Sequence, residues 1–159
     1  MVYKGFENNK SLLEGRRLFL VCRGSFDRLG ISEYIKSLDP VRFGGFTPNP
    51  KMEEVMAGVE AFRASGCDTF LAVGGGSPID VAKCIKHYSE SDAPLISIPT
   101  TSGTGSESTH FAVVYENGNK LSVAAPNLLP DIAILEPLLL RTFLNIQERR
   151  RCSTRCAMP

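Results

Sequence analysis

Residues 71–83, LAVGGGSPIDVAK, decide the fold, because an apolar run of strand length meets three consecutive glycines and then continues with a helical pattern. A strand that turns into a helix in this way leaves backbone N–H groups free at the helix N-terminus, where the partial positive charge favours a phosphate. Ser77 is of a type that caps helices, and Pro78 suits the first turn. We interpret the glycines as a phosphate-binding turn, although in isolation they fit a ligand-free turn equally well.

The composition is typical of one globular domain with a hydrophobic core. The 159 residues are 43% hydrophobic and 22% charged, and the formal net charge is +1, which gives no indication of a nucleic-acid or anionic-membrane partner. No apolar run approaches the ~20 residues of a membrane span, and the N-terminal residues lack the apolar centre of a signal peptide. A cytoplasmic protein is therefore predicted. The five cysteines are odd in number and irregularly spaced, which argues against a disulfide framework.

Short apolar runs alternate with helix-like segments on both sides of the glycines. Strand-length runs without polar alternation lie at 17–22, 41–46, 68–73 and 94–98. Segments with helical spacing lie at 26–37, 51–65 and 77–88. Such strands joined by helices predict an α/β fold with a doubly wound, Rossmann-like parallel sheet, in which ligands bind at the carboxyl ends of the strands.

Three further segments complete the predicted fold. A turn at 116–119, ENGN, predicts a β-hairpin insertion over 110–124, and 131–135 is the last strand. Residues 1–16 are polar and aperiodic, so no element is predicted there. The α/β domain is expected to span 1–142.

A second polar loop is predicted at the same edge of the sheet. Residues 99–107, PTTSGTGSE, follow the fourth run and contain five hydroxyl residues and two glycines. Their hydroxyl and N–H groups suit sugar or phosphate oxygens, although a solvated linker tolerates the same composition. Two donor-rich loops at one sheet edge together indicate a nucleotide or phosphate site.

Three ordered blocks carry a family resemblance. They are GGGSPIDVAK at 74–83, IPTTSGTGSEST at 98–109 and LLPDIAILEP at 128–137, with TPNP at 47–50 before the long helix. The set closely resembles the iron-containing alcohol dehydrogenase family over nearly all of 17–142. The resemblance implies an NAD(P)-binding domain followed by an all-helical domain that holds iron or zinc. It implies hydride transfer between the cofactor and a small alcohol or aldehyde, with the metal as Lewis acid.

The resemblance also implies which residues bind the cofactor. The residues that match the family's pyrophosphate loop are Gly74, Gly75, Gly76 and Ser77. Those that match its second cofactor loop are Thr100, Thr101, Thr104 and Ser106. Asp80 matches the acid of the helix after the glycines, and Lys120 resembles the family lysine near the nicotinamide ribose. No catalytic residue is identified in this chain.

Two features concern cofactor and substrate choice. Arg23 stands where many members carry an acid that binds the adenine ribose hydroxyls. An arginine there suits a 2′-phosphate, so NADP is an alternative to NAD, and a surface arginine without a ligand is the other interpretation. The run ESTHFAVVY at 107–115 resembles the branch often labelled phosphonoacetaldehyde reductase, which makes phosphonoacetaldehyde a candidate substrate.

Residues 143–159 depart from the family. They show no helical or strand period, whereas the family continues with a metal-binding helix that carries an Asp and, four residues later, a His. Two more histidines follow in its helical domain, but this chain has only His87 and His110. We expect the C-terminal helical domain and the metal ligands to be missing, so the chain is truncated, binds neither iron nor zinc, and is inactive alone. Cys152 and Cys156 are not interpreted as a metal pair.

The genetic code offers an explanation for this tail. Read from the third base of each codon, residues 151–159 can encode MLDALCHA, which has the family's Asp and His spacing. Residues from about 143 onward are therefore predicted to be a frameshifted translation. Without the helical domain, the surface that it would cover is exposed. We therefore expect poor solubility or self-association of the chain, including a homo-oligomer. A nucleotide-binding module without catalysis and a dehydroquinate synthase-like relative are the alternative functions.

Overall fold

A computed structural model of the chain describes residues 1–139. Its strands are β1 (Val2–Lys4), β2 (Leu18–Cys22), β3 (Val41–Phe43), β4 (Thr69–Gly74), β5 (Leu95–Pro99), β6 (Phe111–Glu116), β7 (Asn119–Ala124) and β8 (Ile132–Leu135). Its α-helices are α1 (Ser32–Ser37), α2 (Met52–Ser65) and α3 (Gly76–Tyr88). Short 3-10 helices lie at Lys10–Leu13, Gly24–Arg28, Ser106–Ser108 and Pro126–Leu128.

Six of the strands form one parallel sheet in the order β1-β8-β5-β4-β2-β3. The remaining two, β6 and β7, form an antiparallel hairpin that packs on α3, with Ala112 and Val114 buried. Asn117 and Gly118 at its tip have φ of +50° and +79°, as the predicted Asn-Gly turn requires. The predicted α/β class, parallel sheet and hairpin insertion are confirmed.

Both faces of the sheet are covered, which is why its central strands lack polar alternation. On one face, Phe19 and Phe70 pack with side chains of α2 and α3, such as Val59. On the other face, Leu20 and Leu71 pack with α1 and with the 3-10 helices of the N-terminal half. The fold is therefore doubly wound.

The direction of winding reverses between β2 and β4. From β2 the chain crosses to β3 through α1 on one face, and from β4 it crosses to β5 through α3 on the other. In such sheets, a crevice opens at the carboxyl ends of the strands where the order reverses. Here Arg23 follows β2 and Gly75 follows β4, so both flank this crevice.

Three local predictions need correction. Residues 1–16 do contain elements, because β1 pairs in parallel with β8 and the following 3-10 helix buries Leu13. A three-residue strand is too short to show a period, and it forms because β8 offers a free edge. The segment 26–37 is split into a 3-10 helix and α1 around Gly30, which disfavours a continuous helix. The strand predicted over 41–46 ends at Phe43.

The predicted domain end at 142 and the tail 143–159 lie outside the described residues. Both therefore stay predictions. Within residues 1–139, none of the helices has the length and apolar character to cross a bilayer.

Candidate functional site

The glycine turn at 74–76 joins β4 to α3, the helix on which the hairpin packs. Gly74 has φ of +151°, and a Cβ there would lie 2.6 Å from Cγ of Pro78, so only glycine fits this position. Gly75 precedes the 13-residue helix α3, whose N-terminus is capped by no side chain. Its first-turn N–H groups and the helix dipole therefore face the crevice at the carboxyl edge of the sheet, an arrangement that suits an anion.

Ser77 does not cap α3, contrary to the prediction. The helix begins one residue earlier, at Gly76, and this places Ser77 in its first turn. The Ser77 hydroxyl donates a hydrogen bond to the backbone carbonyl of Pro48. Ser77 thus ties the TPNP loop to the glycine turn, while Pro78 lies in the first turn as predicted.

The second polar loop, residues 99–107, is called the threonine-rich loop below, and it packs directly on the glycine turn at 74–76. The Thr100 N–H donates to the Gly74 carbonyl at 2.9 Å. A Cβ on Gly75 would lie 2.8 Å from Oγ1 of Thr101. A Cβ on Gly76 would lie 3.4 Å from both Cγ2 of Thr104 and Oγ of Ser106. The structure therefore brings together the glycines and the four hydroxyl residues that the resemblance named, although Thr100 and Ser106 are themselves buried.

Asp80 lies one turn further along α3 and is 9% exposed. Its Oδ2 accepts a hydrogen bond from the Val113 N–H at 3.1 Å, whereas no hydrogen bond within residues 1–139 meets the distance and angle limits at its buried Oδ1. Burial raises the pKa of this carboxyl, and the Val113 N–H, the Lys83 charge and the Ser106 hydroxyl offset part of the rise. Asp80 thus contacts the hairpin and keeps one acceptor oxygen free beside the second loop.

Lys120 and Arg23 stand apart from this cluster. Lys120 is exposed on β7, opposite Tyr115, and no hydrogen bond or ion pair links it to either loop among the described residues. Arg23 is half-buried at the end of β2 and has no ion pair within residues 1–139. The neighbouring Arg42 is paired with both carboxylate oxygens of Asp27 at 3.0 Å. Of these two arginines, Arg23 is therefore the one left to meet an anion.

Sequence reasoning missed two contributors to the site. The TPNP segment at 47–50 was named only as part of the family resemblance, but the Pro48 carbonyl accepts from the Ser77 hydroxyl and the Pro50 carbonyl accepts from the Tyr115 N–H at 2.8 Å. Lys83 was not singled out, although it is fully buried beside the second loop. A lysine within an otherwise apolar helical stripe was the signal that could have identified it.

The described residues do not form a metal site. Across residues 1–139, no group of three or more His, Cys, Asp and Glu side chains is arranged to hold a metal ion. Iron therefore does not fit this part of the chain. Because Cys152 and Cys156 lie outside the described residues, the expectation that the chain binds no metal stays a prediction.

The sequence blocks and the site geometry agree with comparisons to known proteins. The family model described as iron-containing alcohol dehydrogenase matches residues 5–137. The chain belongs to the iron-containing alcohol dehydrogenase family. The predicted resemblance is confirmed.

Individual members of the iron-containing alcohol dehydrogenase family agree with this assignment. The chain is 40% identical over 108 residues to the probable alcohol dehydrogenase EutG of Escherichia coli (strain K12), a match that covers 57% of this chain and 27% of EutG. The fold is similar to the iron-containing alcohol dehydrogenase of Thermococcus thioreducens, with a TM-score of 0.78 and 27% identity over 89% of this chain and 46% of that one. It is also similar to sulfoacetaldehyde reductase from Bifidobacterium kashiwanohense in complex with NAD+, with a TM-score of 0.74 and 28% identity over 87% of this chain and 45% of that one. The matches thus cover less than half the length of each of these three relatives.

Proposed function

We propose that this domain binds a nicotinamide dinucleotide at the carboxyl edge of its sheet, and that the protein is an NAD(P)-dependent oxidoreductase of small alcohols and aldehydes. The observation that carries the proposal is the N-terminus of α3, which has no side-chain cap within residues 1–139, begins at the third of three consecutive glycines and packs against a loop of hydroxyl residues. The family match favours this function over a dehydroquinate synthase-like relative. A nucleotide-binding module without catalysis remains the second candidate.

The residues of this chain act by binding and orienting the cofactor. Backbone N–H groups at Gly75 and Gly76 suit the pyrophosphate, because no side chain separates them from a ligand. The hydroxyls of Thr101 and Thr104 are at least partly exposed and suit further phosphate or ribose oxygens. The bound cofactor supplies the hydride chemistry. Asp80 Oδ1 is an acceptor that lacks a donor until a ligand or a water provides one.

A fluorescence titration with NADH tests the cofactor site. In the full chain, Gly76→Ala should weaken binding at least tenfold, because its methyl group would occupy the path of the pyrophosphate while touching protein atoms only at 3.4 Å. Gly30→Ala is the matched control, since a Cβ there meets nothing within 4 Å, and it should bind as the original chain does. If the original chain binds no NADH or NADPH, the proposed function fails.

Arg23 is proposed to set the choice between NAD and NADP. Its unpaired guanidinium lies at the end of β2, where the crevice opens. Arg23→Ala should weaken NADPH more than NADH, because only NADPH carries the 2′-phosphate. The control is Arg28→Ala, which replaces an exposed arginine at the end of the 3-10 helix that follows Arg23. Equal losses for both cofactors would show that Arg23 does not read the 2′-phosphate.

The substrate is proposed to be a small aldehyde or its alcohol, and phosphonoacetaldehyde is one candidate. The support is the family and the run at 107–115, together with a structural relative whose named substrate, sulfoacetaldehyde, is also a small anionic aldehyde. Oxidation of NADH or NADPH by acetaldehyde and by phosphonoacetaldehyde, with added iron or zinc, tests this. Cofactor binding without turnover would support the second candidate, the binding module.

We propose that residues from about 143 onward are translated in a shifted frame. The support is the family's Asp and His spacing in the alternative reading of 151–159. Sequencing the gene and its downstream region decides this, since a second frame that closes within a few codons contradicts it. A protein made in the restored frame should gain metal content and aldehyde reduction.

Self-association is proposed for the chain as it stands. Large apolar side chains such as Phe111, Leu129 and Leu138 are 47–68% exposed. Exposed apolar groups favour association of the isolated chain. Sedimentation velocity should show species larger than a 17.4 kDa monomer. A single monomeric species at micromolar concentration would contradict this.

A further inference from the structure

We infer that Lys83 is a positioning residue of the cofactor site, which fixes the end of the threonine-rich loop and the outer edge of the hairpin against α3. This inference rests on the proposed function, because the loop that it positions is the one proposed to bind the cofactor. Lys83 matches no residue of the cofactor set named above.

The Lys83 ammonium is completely buried and is held by backbone groups. It donates to the carbonyls of Thr109 and Phe111, both at 2.8 Å, and lies 3.5 Å from Oγ1 of Thr109. No carboxylate in residues 1–139 forms an ion pair with it. Burying a lysine without a carboxylate partner costs stability, so its presence here favours a role other than stability.

Among residues 1–139, the contacts of Lys83 lie on an edge of the hairpin that has no neighbouring strand. Of the described strands, β6 pairs only with β7, apart from an isolated bridge between Tyr115 and Lys51, and an isolated two-stranded hairpin is marginally stable. The outer backbone groups of β6 are bound one after another: Phe111 O by Lys83, Val113 N–H by Asp80, and Tyr115 N–H by the Pro50 carbonyl. Helix α3 and the TPNP loop thus take the place of a third strand.

The same contacts fix the threonine-rich loop at its far end. Near the start of the loop, the Thr100 N–H donates to the Gly74 carbonyl, and two residues beyond its end at Glu107 the Thr109 carbonyl accepts from Lys83. Both anchors belong to the unit formed by β4 and α3. Thr104 and Ser106 lie between them and face Gly76. Without the Lys83 anchor, the loop would lose its fixed distance from the glycine turn.

Lys86 is a natural matched control on the same helix. It is 6% exposed, and its Nζ lies 2.8 Å from Oδ2 of Asp131, which precedes β8 at the opposite edge of the sheet. Replacing either lysine by methionine removes one buried ammonium and keeps a flexible apolar side chain. Both variants should unfold at a lower temperature than the original chain, but only Lys83→Met removes a contact beside the threonine-rich loop.

The experiment compares Lys83→Met with Lys86→Met in the full chain, by NADH titration and by hydrogen exchange of the amides at 104–113. Lys83→Met should weaken NADH at least tenfold and speed exchange across 104–113. Lys86→Met should bind within twofold of the original chain and leave that exchange unchanged. If Lys83→Met is not recovered folded, Lys83→Gln, which keeps one donor group for one of the two carbonyls, should show an intermediate loss.

Each outcome decides between the claims. If Lys83→Met or its substitute binds NADH as the original chain does, or if 104–113 exchanges alike in both lysine variants, the positioning role is wrong. If the original chain binds no dinucleotide, the proposed function fails, and faster exchange at 104–113 in Lys83→Met alone still establishes the anchor.

Discussion

Helix α3 carries two buried lysines, one turn apart, in opposite surroundings. Near its C-terminus, Lys86 pairs with Asp131, whose Oδ2 also accepts from the Leu95 N–H at 2.8 Å. One turn earlier, Lys83 is held by the carbonyls of Thr109 and Phe111 and by the Thr109 hydroxyl. Within residues 1–139, the two carboxyl groups that interact with its charge each keep one oxygen without a hydrogen bond, Asp80 Oδ1 and Glu107 Oε2. The buried charges are thus paired at the edge where the strands begin, whereas at the carboxyl edge some carboxyl oxygens in residues 1–139 have no hydrogen bond.

This difference separates stability from binding. Buried polar atoms in folded proteins are almost always paired, so unpaired ones need an explanation such as an absent ligand or water. At the edge of the sheet where the strands begin, burial raises the pKa of Asp131, but the Leu95 N–H and the Lys86 ammonium lower it by more, so the ionised carboxylate stabilises the folded chain. At the carboxyl edge, an uncapped helix and free acceptor oxygens remain available to a ligand. One helix can therefore stabilise the fold through Lys86 and support binding through its N-terminus and Lys83.

The largest effect is expected from Gly74→Ala at the carboxyl edge. A side chain there is strained at φ of +151° and meets the rigid Pro78 ring at 2.6 Å. Strain and overpacking together should lower the free energy of unfolding by about 3 kcal/mol or more, measured by urea denaturation. Gly30→Ala should cost less than about 1 kcal/mol. A Gly74→Ala protein as stable as this control would mean that the turn has another conformation.

Asp131→Asn tests the edge where the strands begin. It leaves the Lys86 ammonium buried without a counter-charge, and loss of a partner from a fully buried pair costs about 3–5 kcal/mol. Because the Asp131 side chain is 48% exposed, we expect about 2 kcal/mol in urea denaturation, since solvent screens part of the interaction. NADH affinity should stay within twofold. A large loss of affinity would break the separation between the two edges.

Glu54→Ala tests how firmly the TPNP loop is held beside the carboxyl edge. The Glu54 carboxylate accepts from the N–H and hydroxyl of Thr47 and from the N–H of Lys51, before α2 begins. Its loss should cost about 1 kcal/mol, like the loss of a helix cap. Glu53→Ala removes a neighbouring first-turn charge without these bonds and is the control. Equal unfolding midpoints in the two variants would show that the loop does not depend on Glu54.

The smallest expected effect is the pH dependence of stability, which has opposite sign for Asp131 and for Asp80. Burial opposes ionisation of Asp131, but the Leu95 N–H and Lys86 outweigh it and lower its pKa. Its stabilising contribution is present above about pH 3.9, the usual aspartate value, and is lost as the pH falls through the folded pKa. Burial raises the pKa of Asp80, so the folded chain takes up that proton first and gains stability on acidification.

Urea denaturation between pH 3 and 6 measures this difference. As the pH falls, the free energy of unfolding of the original chain should decrease relative to that of Asp131→Asn. Over the same range it should increase relative to that of Asp80→Asn. Each change should be below about 1 kcal/mol. The same sign for both pairs would contradict the contrast between the edges.

Much of the fold was predictable because its signals are local. Apolar runs at β2, β4 and β5 and the long helix α2 were predicted to within one or two residues. The short β1 was missed, because three residues carry no period and its pairing depends on β8, 131 residues further along the chain. At the site, the glycines and the threonine-rich loop were predicted together. The role of Ser77 was not, since its partner is the distant Pro48.

The sequence by itself determined the strand-to-helix turn at 74–77, the second loop and the family, because each is written in consecutive residues of restricted type. Only the tertiary structure decided which side chains those loops require. Lys83 reaches Thr109 and Phe111, and Ser77 reaches Pro48, across intervals of 26 to 29 residues. Such contacts follow from how helix, hairpin and loop pack in space, and no local pattern encodes a hydrogen bond whose two partners are brought together only by folding.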